Sequence, residues 1–138
     1  MATGKMQARQ TKPGLHAWNT FTRWLLHVPL LRRLADSEVC ELTFHGVLTG
    51  RPVTLPVMYA EQNGCVVVLV GAPDTKVWWH NFATEQPVRV WLRGRERDGR
   101  GRTVMPGDLA RAAVADIYNA KYLDIPVQDD PLLFITLK

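Results

Sequence analysis

The sequence is poor in the features that announce most site chemistries. Only two of its 138 residues are cysteine, Cys40 and Cys65, too few for a disulfide framework, so free thiols in a reducing, cytoplasmic compartment are expected. His16, His27, His45 and His80 stand at no spacing, to one another or to the cysteines, that a metal centre uses, and no metal is expected. No P-loop or dinucleotide-binding glycine pattern is present, because the run GRERDGRGR at 94–102 does not sit between an apolar strand and a helix. No apolar stretch approaches the ~18 residues of a spanning helix. Repeats, low-complexity tracts and internal linkers are missing too, so the chain reads as a single domain over 1–138, large enough to bury roughly two-thirds of its unfolded surface.

What is present is organised around Val66–Phe82, VVVLVGAPDTKVWWHNF, where an apolar strand runs through a Gly-Ala-Pro-Asp break into a short helical segment. Such a junction offers free backbone amides beside a helix start, a place where a flat or phosphorylated ligand docks. Residues 1–12 are polar and aperiodic and are read as a disordered arm. Over 14–35, Leu15, Trp18, Phe21, Leu25 and Val28 recur at steps of three and four, an amphipathic helix ended or kinked at Pro29. Its tryptophans and arginines suit a membrane surface, and a helix capping one end of a barrel suits the same stripe.

From Glu38 the period falls to two. Strands are predicted from Val39 to Gly46 and from Val53 to Tyr59, with a wide turn at Gly46–Pro52 between them; Pro56 marks the second as an edge or bulged strand. Asn63-Gly64 is a strong hairpin signal leading into Cys65–Val70, apolar throughout and so buried on both faces. Val88, Val90 and Leu92 alternate with Arg89, Trp91 and Arg93, and a turn at Gly94-Arg95 returns the chain into Glu96–Val104. A helix is predicted to start at Asp108 as N-cap, with Leu109, Ala112, Ala113, Asp116, Ile117 and Ala120 on its packed face, and to stop at Asp124-Ile125-Pro126. Leu132–Leu137 is a final strand. The fold class is therefore α+β, a split β-barrel of about six mainly antiparallel strands, with an N-terminal amphipathic helix and a late helix packed outside.

Two segments carry a resemblance. TFHGVLTGRPVTLPVMY, 43–59, is similar to the TxxGRKSGxPRxxPLxY segment of the deazaflavin-dependent nitroreductase and quinone reductase family, and VWWHNF, 77–82, resembles its W-[WY]-x-N-[LF] segment. The likeness runs over about Glu38–Val104. It implies a flavin-reductase-like split barrel that binds 8-hydroxy-5-deazaflavin and passes its hydride to a hydrophobic acceptor, a quinone or a nitro compound. By the same resemblance Gly46, Thr49, Gly50 and Pro52 form the turn facing the coenzyme tail. Val70, Gly71 and Trp78 lie near its phosphate and ring, Trp79 and Asn81 complete the second motif, and Tyr118 and Tyr122 line the acceptor pocket. Several family members carry an amphipathic N-terminal helix near the membrane.

The chain departs from the family at Val47, Leu48 and Val53, where the pattern has basic residues; Arg51 and Lys76 are the cations left to meet an anion. Hydride transfer asks the protein to hold donor and acceptor face to face, exclude water and supply a proton, roles that fit Trp78 as a ring wall and Tyr118 as a donor. Two other readings use the same barrel. One holds FMN or haem in place of the deazaflavin, or a ligand without catalysis. The other binds nucleic acid through Arg93, Arg95, Arg97, Arg100 and Arg102 with Trp91 as a stacking aromatic, although Glu96 and Asp98 dilute that charge.

Overall fold

The structure of the protein is a computed structural model that describes residues 38–138. The predicted arm at 1–12 and helical segment at 14–35 lie outside the described residues. Seven strands form one antiparallel sheet: β1 (Val39–His45), β2 (Pro52–Met58), β3 (Ala60–Gln62), β4 (Cys65–Leu69), β5 (Gln86–Leu92), β6 (Arg95–Val104) and β7 (Leu132–Leu137). Their order across the sheet is β2-β1-β5-β6-β7-β4-β3, and β2 also touches β4, so the sheet curls back on itself as a split barrel.

The strand beyond the expected six arises at Tyr59. Its N–H bonds to the Glu38 carbonyl at 3.0 Å and its ring is buried, so the run from Pro52 breaks there. The part before it pairs with β1 and the part after it with β4. Pro56 sits in β2, at the edge of the sheet, where a missing N–H leaves no neighbour unpaired. Asn63 and Gly64 both take positive φ, 51° and 79°, the geometry a tight two-residue hairpin requires. The β5–β6 turn is centred on Arg93-Gly94, one residue before the expected position.

Alternation sorts the side chains onto two faces. Cys40, Leu42, Phe44, Val66, Val68, Val88, Val90, Leu92, Leu133 and Ile135 fill the inside of the curl. Val67, Val104 and Leu132 face outward, under the single α-helix of the described residues, α1 (Arg111–Lys121). Gly101 of β6 leaves room for the Phe82 ring, because a Cβ there would stand 3.3 Å from it.

Helix α1 departs from the sequence reading in two ways. It begins three residues after Asp108, which instead accepts the Ala110 N–H at 2.9 Å in a turn ahead of the helix and pairs with Arg102 at 2.9 Å. The packed side is Val114 and Tyr118, continued by Tyr122, whereas Leu109, Ala112, Ala113, Asp116 and Ala120 are exposed. Burying a valine and two tyrosines removes far more apolar area from water than burying alanines, and the helix rotates accordingly. No described helix is long and apolar enough to cross a membrane.

Candidate functional site

The β1–β2 turn is held by its own backbone. Gly46 N–H donates to the Arg51 carbonyl at 2.9 Å, Gly50 N–H to the Gly46 carbonyl at 2.8 Å, and Arg51 N–H to Thr49 Oγ1 at 3.2 Å. Gly50 closes the turn with φ +70°, a conformation that a side chain would strain. At the tip Leu48 is 96% exposed and Val47 53%.

The segment after β4 folds into two short 3₁₀ turns, Pro73–Thr75 and Trp78–Phe82. Val70 is buried and its N–H donates to the Pro131 carbonyl at 3.0 Å, which anchors the start of the loop. Ala72 adopts a left-handed conformation with φ 49°, and the Gly71, Ala72 and Asp74 N–H groups make no hydrogen bond within the described residues. Lys76 Nζ lies against the Gly71 carbonyl; burial pulls its pKa below the usual lysine value, with Asp130 opposing. The Trp79 indole N–H is shared between the Lys76 carbonyl at 3.0 Å and the Pro73 carbonyl at 3.2 Å, fixing one 3₁₀ turn against the other.

Asn81 joins the two regions. Its Oδ1 accepts the Val47 N–H at 2.8 Å and its Nδ2 donates to the Trp78 carbonyl at 2.8 Å. Trp78 is half-buried beside Phe44, ring centroids 6.4 Å apart, and Phe44 meets Phe82 edge-on at 4.9 Å. The structure thus brings together Gly46, Thr49, Gly50, Arg51, Pro52, Trp78 and Asn81, with Val70, Gly71 and Lys76 on the adjoining loop.

Tyr118 and Tyr122 lie elsewhere, in the cluster under α1, with ring centroids 4.7 Å apart. The Tyr122 hydroxyl donates to the Tyr59 carbonyl at 2.8 Å, and burial, with the charges of Tyr118 and Glu38, raises its pKa. Burial also raises that of Tyr118, whose hydroxyl makes no hydrogen bond among the described residues. Sequence reasoning passed over Lys121, whose ammonium donates to the Tyr59 carbonyl at 2.8 Å and lies 4.2 Å from the Tyr59 ring centroid. Its signal was its place between the two tyrosines in sequence, at the end of the helix.

A concavity of about 600 Å³ is lined by Trp79, His80, Glu85, Arg102, Met105 and Asp108 among others. Trp79 and His80 stack there at 3.8 Å. Its charges are committed, Arg102 to Asp108 and Glu85 to Arg100 at 2.7 Å. Among the described residues no group of histidine, cysteine, aspartate and glutamate is placed to hold a metal. Cys40 and Cys65 are free thiols, and burial raises the pKa of Cys40, leaving it unreactive.

The model of one protein family, F420H(2)-dependent quinone reductase, matches residues 22–128, most of the chain. The chain belongs to that family. Membership makes it an oxidoreductase and brings with it a deazaflavin cofactor and a quinone-type small-molecule acceptor. Solved structures support the fold. An F420-H2 dependent reductase (FDR-A) is 18% identical with a TM-score of 0.54, over 71% of this chain and 93% of its own. A domain-swapped dimer is 16% identical with a TM-score of 0.56, over 90% and 99%. HutZ, the heme storage protein of Vibrio cholerae, is 13% identical with a TM-score of 0.52, over 80% and 89%. No curated protein matches the chain.

The residues present fit a deazaflavin in part. Three N–H groups with no hydrogen bond among the described residues, and the Lys76 ammonium that lies against the Gly71 carbonyl, are donors a phosphate could use, and Trp78 offers an aromatic face for a ring. Beside them, among the described residues of the turn, Arg51 adds positive charge, while Val47 and Leu48 add none where a longer anionic tail would pass.

Proposed function

We propose that the chain carries a hydride from a reduced 8-hydroxy-5-deazaflavin to a hydrophobic acceptor, of which a quinone is the best fit and a nitro compound a further possibility of the same chemistry. The observation that supports this most directly is the 2.8 Å bond from Val47 N–H to Asn81 Oδ1, which makes one site of two motifs that stand 34 residues apart in the chain.

When bound in its reduced form, the deazaflavin supplies the hydride. The chain's part is binding, orientation and shielding. Trp78, packed on Phe44, walls one side of the ring and keeps water from it. The N–H groups of Gly71 and Ala72 and the Lys76 ammonium hold the phosphate, Arg51 reaches the tail, and the Gly46–Pro52 turn borders it. A reduced quinone needs a proton on its developing oxyanion. Both tyrosines lie in the cluster under α1, on the other face of the sheet from the core that Trp78 packs on. Tyr122 spends its hydroxyl on Tyr59, so Tyr118, whose hydroxyl makes no bond among the described residues, is the donor only for an acceptor that reaches that cluster.

Titration of the purified protein with oxidised deazaflavin, followed by single-turnover oxidation of the reduced form by a soluble quinone, tests the reading. Saturable binding and quinone-dependent return of the oxidised absorbance are expected. Absence of saturation at about millimolar coenzyme, some 4 kcal/mol of binding free energy, would sink it.

A further inference from the structure

Asn81 stands between the two halves of the site and has both of its polar atoms engaged within them. A carboxamide is unusual in presenting an acceptor and a donor at once on a short stem. Here the acceptor holds the backbone of the β1–β2 turn and the donor holds the backbone of Trp78, each at 2.8 Å. Among the described residues, the turn's tip has no other hydrogen bond to the Trp78 segment. Its other hydrogen bonds are internal, and Val47 and Leu48 point outward. The Trp78 side is rigid for separate reasons: Phe82 is fully buried against Phe44, and Thr103 Oγ1 donates to the Phe82 carbonyl at 3.1 Å. The base of the turn is fixed by the β1–β2 pairing and by Phe44 packed on Trp78 and Phe82. Its tip at Val47 meets the Trp78 segment through the Asn81 side chain, so the separation at the tip depends on that side chain.

We propose that Asn81 is a positioning residue that fixes the gap between the Gly46–Pro52 turn and Trp78, and that it acts on the coenzyme through those two elements and not by touching it. This rests on the functional reading above. Aspartate keeps the shape of asparagine and can still accept from Val47, but its carboxylate has no proton for the Trp78 carbonyl. Once protonated, the same carboxyl gains an O–H donor and can remake both bonds. Proximity to the Trp78 carbonyl disfavours the charged form, so the Asn81→Asp side chain takes up its proton above the usual carboxylate range.

The test has a structural arm and a binding arm. By NMR hydrogen exchange, the Val47 amide is expected to be protected in the wild-type protein and to exchange at least about tenfold faster in Asn81→Ala. Oxidised deazaflavin, titrated by fluorescence, should bind at least about tenfold more weakly to Asn81→Ala, and Asn81→Asp should recover relative to wild type as the pH falls from about 7.5 to about 5. Thr103→Val removes one hydrogen bond from the same 3₁₀ turn without touching the β1–β2 turn and serves as the control for general loosening; its affinity should match wild type. Binding by Asn81→Ala within about twofold of wild type, no recovery of Asn81→Asp at low pH, or an equal loss in Thr103→Val would each overturn the proposal. A wild-type protein that binds no deazaflavin would overturn the functional reading instead, while Val47 exchange in Asn81→Ala and its pH recovery in Asn81→Asp still decide whether the clamp exists.

Discussion

The β1–β2 turn and the β5–β6 hairpin are both built on glycine and arginine, yet they dispose of their charge in opposite ways. In the hairpin Arg89 pairs with Asp98 at 3.2 Å, Arg93 with Glu61 at 2.6 Å, Arg100 with Glu85 at 2.7 Å, and Arg102 with Asp108 at 2.9 Å. Arg97 reaches the Lys138 carbonyl at 3.3 Å. The arginine run that suggested a nucleic-acid face is largely neutralised by its own neighbours, and its glycines serve packing: a Cβ at Gly99 would lie 2.8 Å from the Thr136 carbonyl. In the turn, by contrast, Arg51 makes no ion pair among the described residues and the tip is apolar. A dense charge run therefore says little about where a ligand binds. Donors without a partner among the described residues, beside an aromatic wall, say more, and those lie at the Arg51 side chain and on the Gly71–Trp78 segment.

That contrast is most exposed at Trp78. Trp78→Ala should weaken deazaflavin binding by about 2 kcal/mol, roughly 30-fold, through loss of the aromatic face. Because the ring is only half-buried against Phe44, the same change should cost about 1–3 kcal/mol of stability in urea denaturation, at or below the usual range for a core aromatic. Unchanged affinity in a folded variant would reduce the segment to core packing.

Next come the cations of the turn and loop, which make no ion pair among the described residues. Arg51→Ala and Lys76→Ala should each weaken binding about threefold to tenfold, more at low salt than at high salt, since both act on an anion near the surface. Lys76 adds a pH dependence. Its pKa is held below the ordinary lysine value of 10.5 by burial, so its ammonium is fully charged at low pH and is lost as pH rises through that lowered value. Affinity should fall on the alkaline side earlier than an ordinary lysine would allow, and Lys76→Arg, which stays protonated, should abolish that fall.

Much of this architecture is legible in the residues. Val88, Val90 and Leu92 alternate with outward residues and are buried as the period of two requires, and Asn63-Gly64 makes the hairpin its two φ angles allow. The packed side of α1 was not legible, because a helical period counts Ala112 and Ala113 like any apolar residue. The area carried by Val114, Tyr118 and Tyr122 decides the rotation instead. The helix start was misplaced because Asp108 satisfies a cap-like bond to Ala110 in a turn that precedes the helix. At the site, the turn and the tryptophan segment were visible as motifs, but the contact between Val47 and Asn81 depends on how the sheet curls, which no local pattern encodes. Nor does spacing reveal that Tyr122 commits its hydroxyl to the Tyr59 carbonyl.

The smallest effects are the sharpest test of the division between turn and hairpin. Leu48, almost fully exposed at the turn tip, can accept a charge without disturbing the core. Leu48→Lys should tighten binding of a deazaflavin with a polyanionic tail by about 0.2–1 kcal/mol, up to about fivefold, and leave a tailless deazaflavin unaffected. Arg100→Ala removes a comparable charge from the hairpin together with its exposed pair to Glu85, in which both side chains are about half-exposed. Exposed pairs contribute little after solvent screening, so its stability should change by less than about 1 kcal/mol and its coenzyme affinity not at all, at any ionic strength. If Arg100→Ala instead weakens binding as much as Arg51→Ala, and the loss shrinks in salt, the anion is sensing the summed field of the hairpin. The cations of the turn and loop would then no longer mark the site.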